Sequence, residues 1–245
     1  VQAVGGAGLT TLGTNLGAYY SVTDENTPQL PPPAETSLTL QSPPANGTYL
    51  KDSTFNLLLE SDGEPLPNQL VTIDIGGQQA SGITDASGEV RLTLNLIVRP
   101  GDYTAQTSFR GNAEYLGSND TSDFTVRKDS TTLAVTPTSA NVLAGQLTPF
   151  VAVVRDSSGR ALGGKSVFFI VHNNTDSFAT SVIADFAGNA ALGAVPLPPG
   201  TYTVDAYFNG TIPVNPSITL SDDYYESSSR LGLVLTLTAD TTGPT

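Results

Sequence analysis

Hydrophobic and polar residues alternate in short runs from residue 36 onward, and Gly, Pro, Asp or Ser residues bound the runs. A period of two turns one face of a strand toward a core and leaves the other in water. In the first half of the chain, this pattern predicts strands at 37–40, 55–59, 71–75, 90–94, 103–107 and 124–126. The sequence therefore predicts an all-β protein.

An internal repeat is the most informative feature of the sequence. Five short motifs recur in the same order, 95 to 100 residues apart. They begin at Thr36, Ser61, Thr84, Pro100 and Phe109, and again at Thr131, Ser157, Ala184, Pro199 and Phe208. The chain thus contains two copies of one unit, 36–128 and 129–238. The second copy has ten extra residues, 211–220, which we interpret as a longer loop.

Turn signals separate the predicted strands and define the class of fold. Each copy carries about seven short strands with turn residues between them, which is typical of an antiparallel β-sandwich. Residues 85–88 and 185–188 place Asp first and Gly fourth, as type I turns favour. Tyr103 and Tyr202 follow Pro-Gly corners, and we expect them to pack into the cores with their hydroxyl groups reaching the backbone.

The combination Gly-x-x-Leu, Thr/Ala-Asp-x-x-Gly and Pro-Gly-x-Tyr-Thr resembles prokaryotic immunoglobulin-like repeats of surface and secreted proteins. It also resembles the related transthyretin-like and pilin-type sandwiches. The resemblance implies two tandem immunoglobulin-like antiparallel β-sandwiches, at 36–128 and 129–245, after an N-terminal extension at 1–35. It further implies a role as a stalk, spacer, adhesin arm or filament subunit.

The extension differs in composition from the repeats, because it is rich in glycine and carries three prolines near its end, at 31–33. One hypothesis is that it adds a strand to a neighbouring copy and so builds a homopolymer. The candidate donor side chains are Val4, Leu9, Leu12, Leu16, Tyr19 and Tyr20. The alternative is a remnant of a preceding repeat, or a tail docked on its own domain.

Charge and composition narrow the partners and the location. The net charge of −13 disfavours nucleic acid and anionic membrane surfaces. The chain has no cysteine, which excludes disulfides and thiolate chemistry, and no apolar stretch long enough to span a bilayer. It begins at Val1, which suggests a processed form or a fragment. Together these features favour an extracellular or cell-surface location.

Candidate catalytic groups are few. His172 is the only histidine, and it follows the apolar run 167–171, so we interpret it as an ordinary residue at a strand end. The sequence contains no Gly-x-Ser-x-Gly motif and no phosphate-binding loop. We therefore expect no enzymatic activity and no cofactor.

Metal binding and covalent modification remain as candidate chemistry. Calcium could bind at the acidic clusters 222–226, 120–123 and 62–64, but solvated acidic loops are the favoured interpretation of these residues. The pilin-type resemblance implies a Lys–Asn crosslink, for which Lys165 is the one credible lysine. Four Asn-x-Ser/Thr sequons, which would carry glycans on loops, lie at Asn46, Asn119, Asn173 and Asn209.

The function predicted on these grounds is that of an extracellular structural protein, as a subunit of a pilus-like fibre or as a surface stalk. One alternative is an adhesin or carbohydrate-binding module that uses loop 211–220 or 222–229, with Tyr224 and Tyr225 stacking on a sugar of a host-surface ligand. A second alternative is a pair of accessory domains from a larger secreted enzyme.

Overall fold

The computed structural model describes residues 31–212 and 215–239 of the chain. These residues form β-strands joined by turns, and no helix occurs among them. Consequently no helix in this part of the chain is long and apolar enough to cross a membrane. The predicted all-β immunoglobulin-like fold class is confirmed.

Nine strands, β1 to β9, build the first half of the chain. They are β1 (Ser37–Gln41), β2 (Asn46–Thr48), β3 (Asp52–Ser61), β4 (Glu64–Pro65), β5 (Leu70–Ile75), β6 (Gln78–Ile83), β7 (Glu89–Asn95), β8 (Gly101–Phe109) and β9 (Ser118–Arg127). One sheet holds β1, β3, β4 and β7. The other has the order β2-β9-β8-β5-β6, in which β2 runs parallel to β9.

Ten strands, β10 to β19, build the second half. They are β10 (Thr131–Thr136), β11 (Ser139–Leu143), β12 (Val151–Asp156), β13 (Ser166–His172), β14 (Ser177–Ile183), β15 (Asn189–Ala191), β16 (Gly200–Phe208), β17 (Gly210–Ile212), β18 (Asn215–Leu220) and β19 (Ser228–Thr238). The sheet β10-β12-β15 faces a second sheet of order β11-β19-β16-β13-β14. This order repeats that of the first half, because β11 is also parallel to β19.

Burial along the strands follows the period of two. In β3, Phe55, Leu57 and Leu59 are buried, while the residues between them are more exposed. The inward side chains of each half form a separate hydrophobic cluster. Removing this apolar surface from water is the main force that holds each pair of sheets together.

The predicted turns and tyrosine contacts are confirmed. The carboxylate of Asp85 accepts hydrogen bonds from the backbone of Ser87 (2.8 Å) and Glu89 (3.0 Å). The Tyr103 hydroxyl donates to the Arg99 carbonyl at 2.6 Å, and Tyr202 donates to the Pro198 carbonyl at 2.8 Å. Both halves therefore close the corner before their long central strand in the same way.

The extra residues of the second copy are not a loop as we expected, but mainly a hairpin of β17 and β18. Ile212 of this hairpin is fully buried against Ile170 and Tyr207, which lie on the outer face of the β13–β16 pair. The hairpin thus covers an apolar face that would otherwise be in contact with water. A third, small hydrophobic cluster results.

Candidate functional site

Tyr49 lies directly after β2 and packs against the hydrophobic clusters of both halves. Its ring centroid is 4.8 Å from that of Tyr224 and 5.9 Å from that of Tyr225. Aromatic pairs at such distances contribute about 0.5–1.5 kcal/mol beyond the area that they bury. We call these three tyrosines the junction cluster, because they join the two cores.

Asp222 holds the two tyrosines of the second half in place. One oxygen of its carboxylate accepts hydrogen bonds from the backbone of Tyr224 (2.9 Å) and Tyr225 (3.1 Å). The other oxygen lies 2.6 Å from Nζ of Lys165, which in turn stands 5.0 Å from the centroid of the Tyr225 ring. Charge and turn geometry thus orient the aromatic rings toward Tyr49.

Asp156, Arg160 and Tyr225 form a second polar group at the junction. Nε of Arg160 donates to the Asp156 carboxylate at 3.0 Å, and the guanidinium also lies 3.2 Å from the Tyr225 hydroxyl. The hydrogen bond to Asp156 raises the pKa of Arg160 above its ordinary value. Burial raises the pKa of Tyr225 above its ordinary value.

Among the described residues, three polar contacts cross from the first half to the second. Arg99 and Asp223 form an ion pair at 2.8 Å, with side chains 64% and 56% exposed. The ammonium of Lys51 contacts the Ser158 hydroxyl, and that of Lys128, the last residue of the first half, contacts the Asp222 carbonyl. Exposed ion pairs contribute little, so aromatic packing is the main stabilising contact.

Asp129 is the least satisfied group at the junction. It is 2% exposed, and its Oδ2 has no hydrogen-bond partner among the described residues. Its backbone forms an isolated parallel β-bridge with that of Tyr225. The backbone of Ala34 forms the same bridge with that of Tyr115. An aspartate therefore begins the second copy at the place that corresponds to Ala34, just before the first copy.

The structure does not place Tyr224 and Tyr225 where they could stack on a sugar. Tyr225 is 5% exposed and Tyr224 is half-buried against Tyr49. The role of Tyr49 could not be predicted from the sequence, because no local motif marks this residue. The repeat does indicate that Tyr225 is packed and not exposed. Tyr225 corresponds to Tyr115, which packs against the first core.

The four sequons differ in surroundings. The expected loop positions are wrong for two of them, because Asn46 begins β2 and Asn119 lies in β9. Asn46, Asn119 and Asn173 are nevertheless exposed. Asn209 is half-buried, and its Nδ2 donates to the Tyr225 carbonyl at 2.6 Å, a bond that a glycan on this nitrogen would compete with. Glycosylation at the three exposed sites stays a prediction, and Asn209 is the least suitable of the four.

His172 and Lys165 each contact an aspartate side chain. His172 ends β13, as expected of a strand-end residue, and its Nε2 lies 3.2 Å from the Asp205 carboxylate. Lys165 pairs with an aspartate rather than an asparagine, which argues against the Lys–Asn crosslink. Within 31–212 and 215–239, no three acidic or histidine side chains are grouped to hold a metal ion, so the calcium clusters find no support.

The candidate donor side chains of the extension fall outside the described residues. They are Val4, Leu9, Leu12, Leu16, Tyr19 and Tyr20. Nothing in the structure tests whether this segment adds a strand to another copy. Strand addition by the extension therefore stays a hypothesis.

Comparison with known proteins supports the fold. None of the protein-family models matches this sequence, and no curated protein matches it either. Among solved structures, invasin, described as a bacterial integrin-binding protein, superposes with a TM-score of 0.51 at 19% sequence identity. The match covers 84% of this chain but only 39% of the invasin chain, so this chain spans less than half of that protein's length.

Two further solved structures match with lower scores. The fibronectin(III)-like modules of Clostridium thermocellum CbhA align over 85% of this chain and 97% of theirs, with 16% identity and a TM-score of 0.29. A C-terminal fragment of intimin, solved with the intimin-binding domain of its translocated receptor Tir, aligns over 82% and 63%, with 16% identity and a TM-score of 0.30. At these identities the likeness concerns the fold alone.

Proposed function

We propose that this chain is a semi-rigid segment of an extracellular protein at the cell surface. It would consist of two immunoglobulin-like domains, 36–128 and 129–245, preceded by the extension 1–35. The observation that carries the proposal is that Tyr49 packs against both hydrophobic clusters. Such a contact restricts bending between domains, which a spacer or an adhesin arm needs in order to hold its tip away from a surface.

Two further features support an extracellular role. The chain has no cysteine or methionine, so it lacks the side chains that oxidise most readily. Invasin, whose fold is similar, is an integrin-binding protein. In our proposal this chain likewise extends toward a partner on another cell.

Small-angle X-ray scattering on the full chain tests the rigid arrangement. We expect the wild-type curve to fit one fixed placement of the two domains. Tyr49→Ala should broaden the distance distribution, while circular dichroism still reports intact β-sheet. Tyr115→Ala serves as the matched control, because Tyr115 packs against the first cluster only. A scattering curve for Tyr49→Ala that is identical to the wild-type curve would contradict the proposal.

A filament subunit is the second candidate function, and the edge strands favour it. Among the described residues, β6 and β14 each stand at the end of a sheet and contain neither a charged residue nor a proline. Natural edge strands usually carry such features to prevent pairing with other chains. An added strand from the extension of a neighbouring copy would complete the hydrogen bonds of such an edge.

Deletion of residues 1–30 tests the filament. Electron microscopy of the native protein should show fibres, and the truncated protein should remain monomeric in sizing chromatography. Fibres from the truncated protein would rule out the extension as the donor. Monomers from both forms would leave the spacer as the function.

A further inference from the structure

The outer face of the sheet formed by β5, β6, β8 and β9 is open and concave. An open depression with a volume of about 920 Å³ lies on this face, and that volume is within the size range of ligand sites. We call this depression the polar trough. Its lining includes Thr72, Gln106, Ser108, Arg110, Asn119 and Thr121.

The floor of the polar trough is a regular array of uncharged hydrogen-bonding groups. Gln106 lies opposite Thr121 in the antiparallel register, and Ser108 lies opposite Asn119. All four side chains are exposed, and none of them forms a side-chain hydrogen bond within the described part of the chain. Amides and hydroxyls both donate and accept, as do the hydroxyl groups of a sugar.

In the second half, the equivalent face is apolar and covered. Counting from the equivalent Tyr103 and Tyr202, the cross-strand pair Thr72–Ser108 corresponds to the pair Phe168–Tyr207. The apolar pair lies beneath the β17–β18 hairpin, which seals the face with Ile212. The first half has no such hairpin after β8 and leaves its face polar and open.

The polar trough is lined by one acidic and one basic side chain, although the whole chain has a net charge of −13. The carboxylate of Asp74 is an anion of the same lining and accepts bonds from the Gly77 backbone (2.9 Å) and from Nε2 of Gln79 (2.8 Å). Asp74 lies opposite Gln106, several residues along the chain from Arg110, so the two charges stand at different ends of the face. Arg110 is the one cation of the lining, is exposed, and forms none of the ion pairs seen in 31–212 and 215–239. A ligand that brings its own carboxylate would complement it.

We propose that the polar trough binds a glycan that contains a carboxylated sugar. The guanidinium of Arg110 pairs with the sugar carboxylate, and the amides and hydroxyls of β8 and β9 bind the ring hydroxyls. Leu70, which is 61% exposed at the trough, offers an apolar surface to the C–H face of a ring. This site goes beyond the spacer role and would place the adhesive function in the first domain.

An array of sialylated and uronic-acid-containing oligosaccharides, printed beside parent oligosaccharides that lack the acidic sugar, tests the site. The full chain is produced in a host without N-glycosylation, because a glycan on Asn119 would occupy the polar trough. We expect retention on at least one acidic glycan and none on its neutral parent. Retention should fall as salt is raised, because the Arg110 contact is exposed.

Substitutions locate the binding. Arg110→Gln should weaken retention by about tenfold or more, the loss expected for a charge-assisted hydrogen bond. Gln106→Ala should weaken it by a smaller factor. Arg230→Gln, which makes the same charge change at an exposed site of the second half, should bind like the wild type.

Several outcomes would overturn the inference. They are the absence of binding to every acidic glycan, equal binding to an acidic glycan and its neutral parent, and binding by Arg110→Gln that equals that of the wild type. Circular dichroism of each variant excludes loss of folding as the cause. Because scattering reports the shape of the chain and the array reports binding, failure of this site and failure of the spacer role are distinguishable.

Discussion

Gly47 shows how closely the first core is packed at the scale of one residue. A Cβ at this position would lie 2.3 Å from the Ser53 hydroxyl, 2.4 Å from a Leu96 methyl group and 2.9 Å from the Phe124 ring. Gly47→Ala should therefore lower the free energy of unfolding by about 1–3 kcal/mol, the usual cost of overpacking. Urea denaturation measures the change. Gly193→Ala is the control, because nothing lies within 4 Å of a Cβ there, and equal losses would refute this account.

Asp185 links turn chemistry to acid stability. Backbone and side-chain hydrogen bonds from Asn189 hold the pKa of its carboxyl below the ordinary value. A depressed pKa in the folded state stabilises the protein above the unfolded pKa of about 3.9, and this contribution is lost as the pH falls through the folded value.

Asp185→Asn keeps an oxygen acceptor but cannot titrate. We expect the variant to be less stable than the wild type at pH 6, and the difference to shrink as the pH falls from about 5 to 2. Thermal unfolding across this range measures it, with Asp123→Asn, an exposed acid outside the turns, as the control for charge. A difference that does not change with pH would contradict the linkage.

At the scale of elements, the β17–β18 hairpin and the face beneath it depend on one another. Deletion of residues 211–221 would connect Gly210 to Asp222, and so imitate the short Gly111–Asn112 connection of the first half. The deletion should expose Phe168, Ile170 and Tyr207, because Ile212 no longer covers them. We expect binding of the dye ANS to rise severalfold over the wild type.

A transplanted polar face provides the control for this deletion. Thr72, Asp74 and Ser108 occupy the corresponding places of the first half. Introducing Phe168→Thr, Ile170→Asp and Tyr207→Ser into the deleted chain should return the dye signal to the wild-type level. A high signal that persists would show that the hairpin supports the main core rather than the outer face.

At the scale of the whole molecule, the junction cluster should couple the stabilities of the two halves. Tyr49→Ala removes packing from both clusters, so backbone amides of both halves should exchange hydrogen faster. Tyr115→Ala should affect the first half alone. Hydrogen exchange resolved by mass spectrometry measures each half separately. Faster exchange confined to the first half in Tyr49→Ala would show that the halves are not coupled.

Much of the fold was predictable from local patterns. The strands at 37–40, 55–59 and 71–75 all lie within observed strands, because alternation is a property of neighbouring residues. The turns at 85–88 and 185–188 were predictable for the same reason. The β17–β18 hairpin was not, because it packs on an apolar face supplied by β13 and β16, which are distant in the sequence.

The sequence by itself determined the all-β class, the repeat and the turn chemistry, since each arises from residues a few positions apart. Only the tertiary structure decided that Tyr49 meets Tyr224, across 175 positions of chain. It also decided which face of which sheet stays open. Alternation marks which residues point outward, but whether a face is then covered depends on contacts that no local pattern encodes.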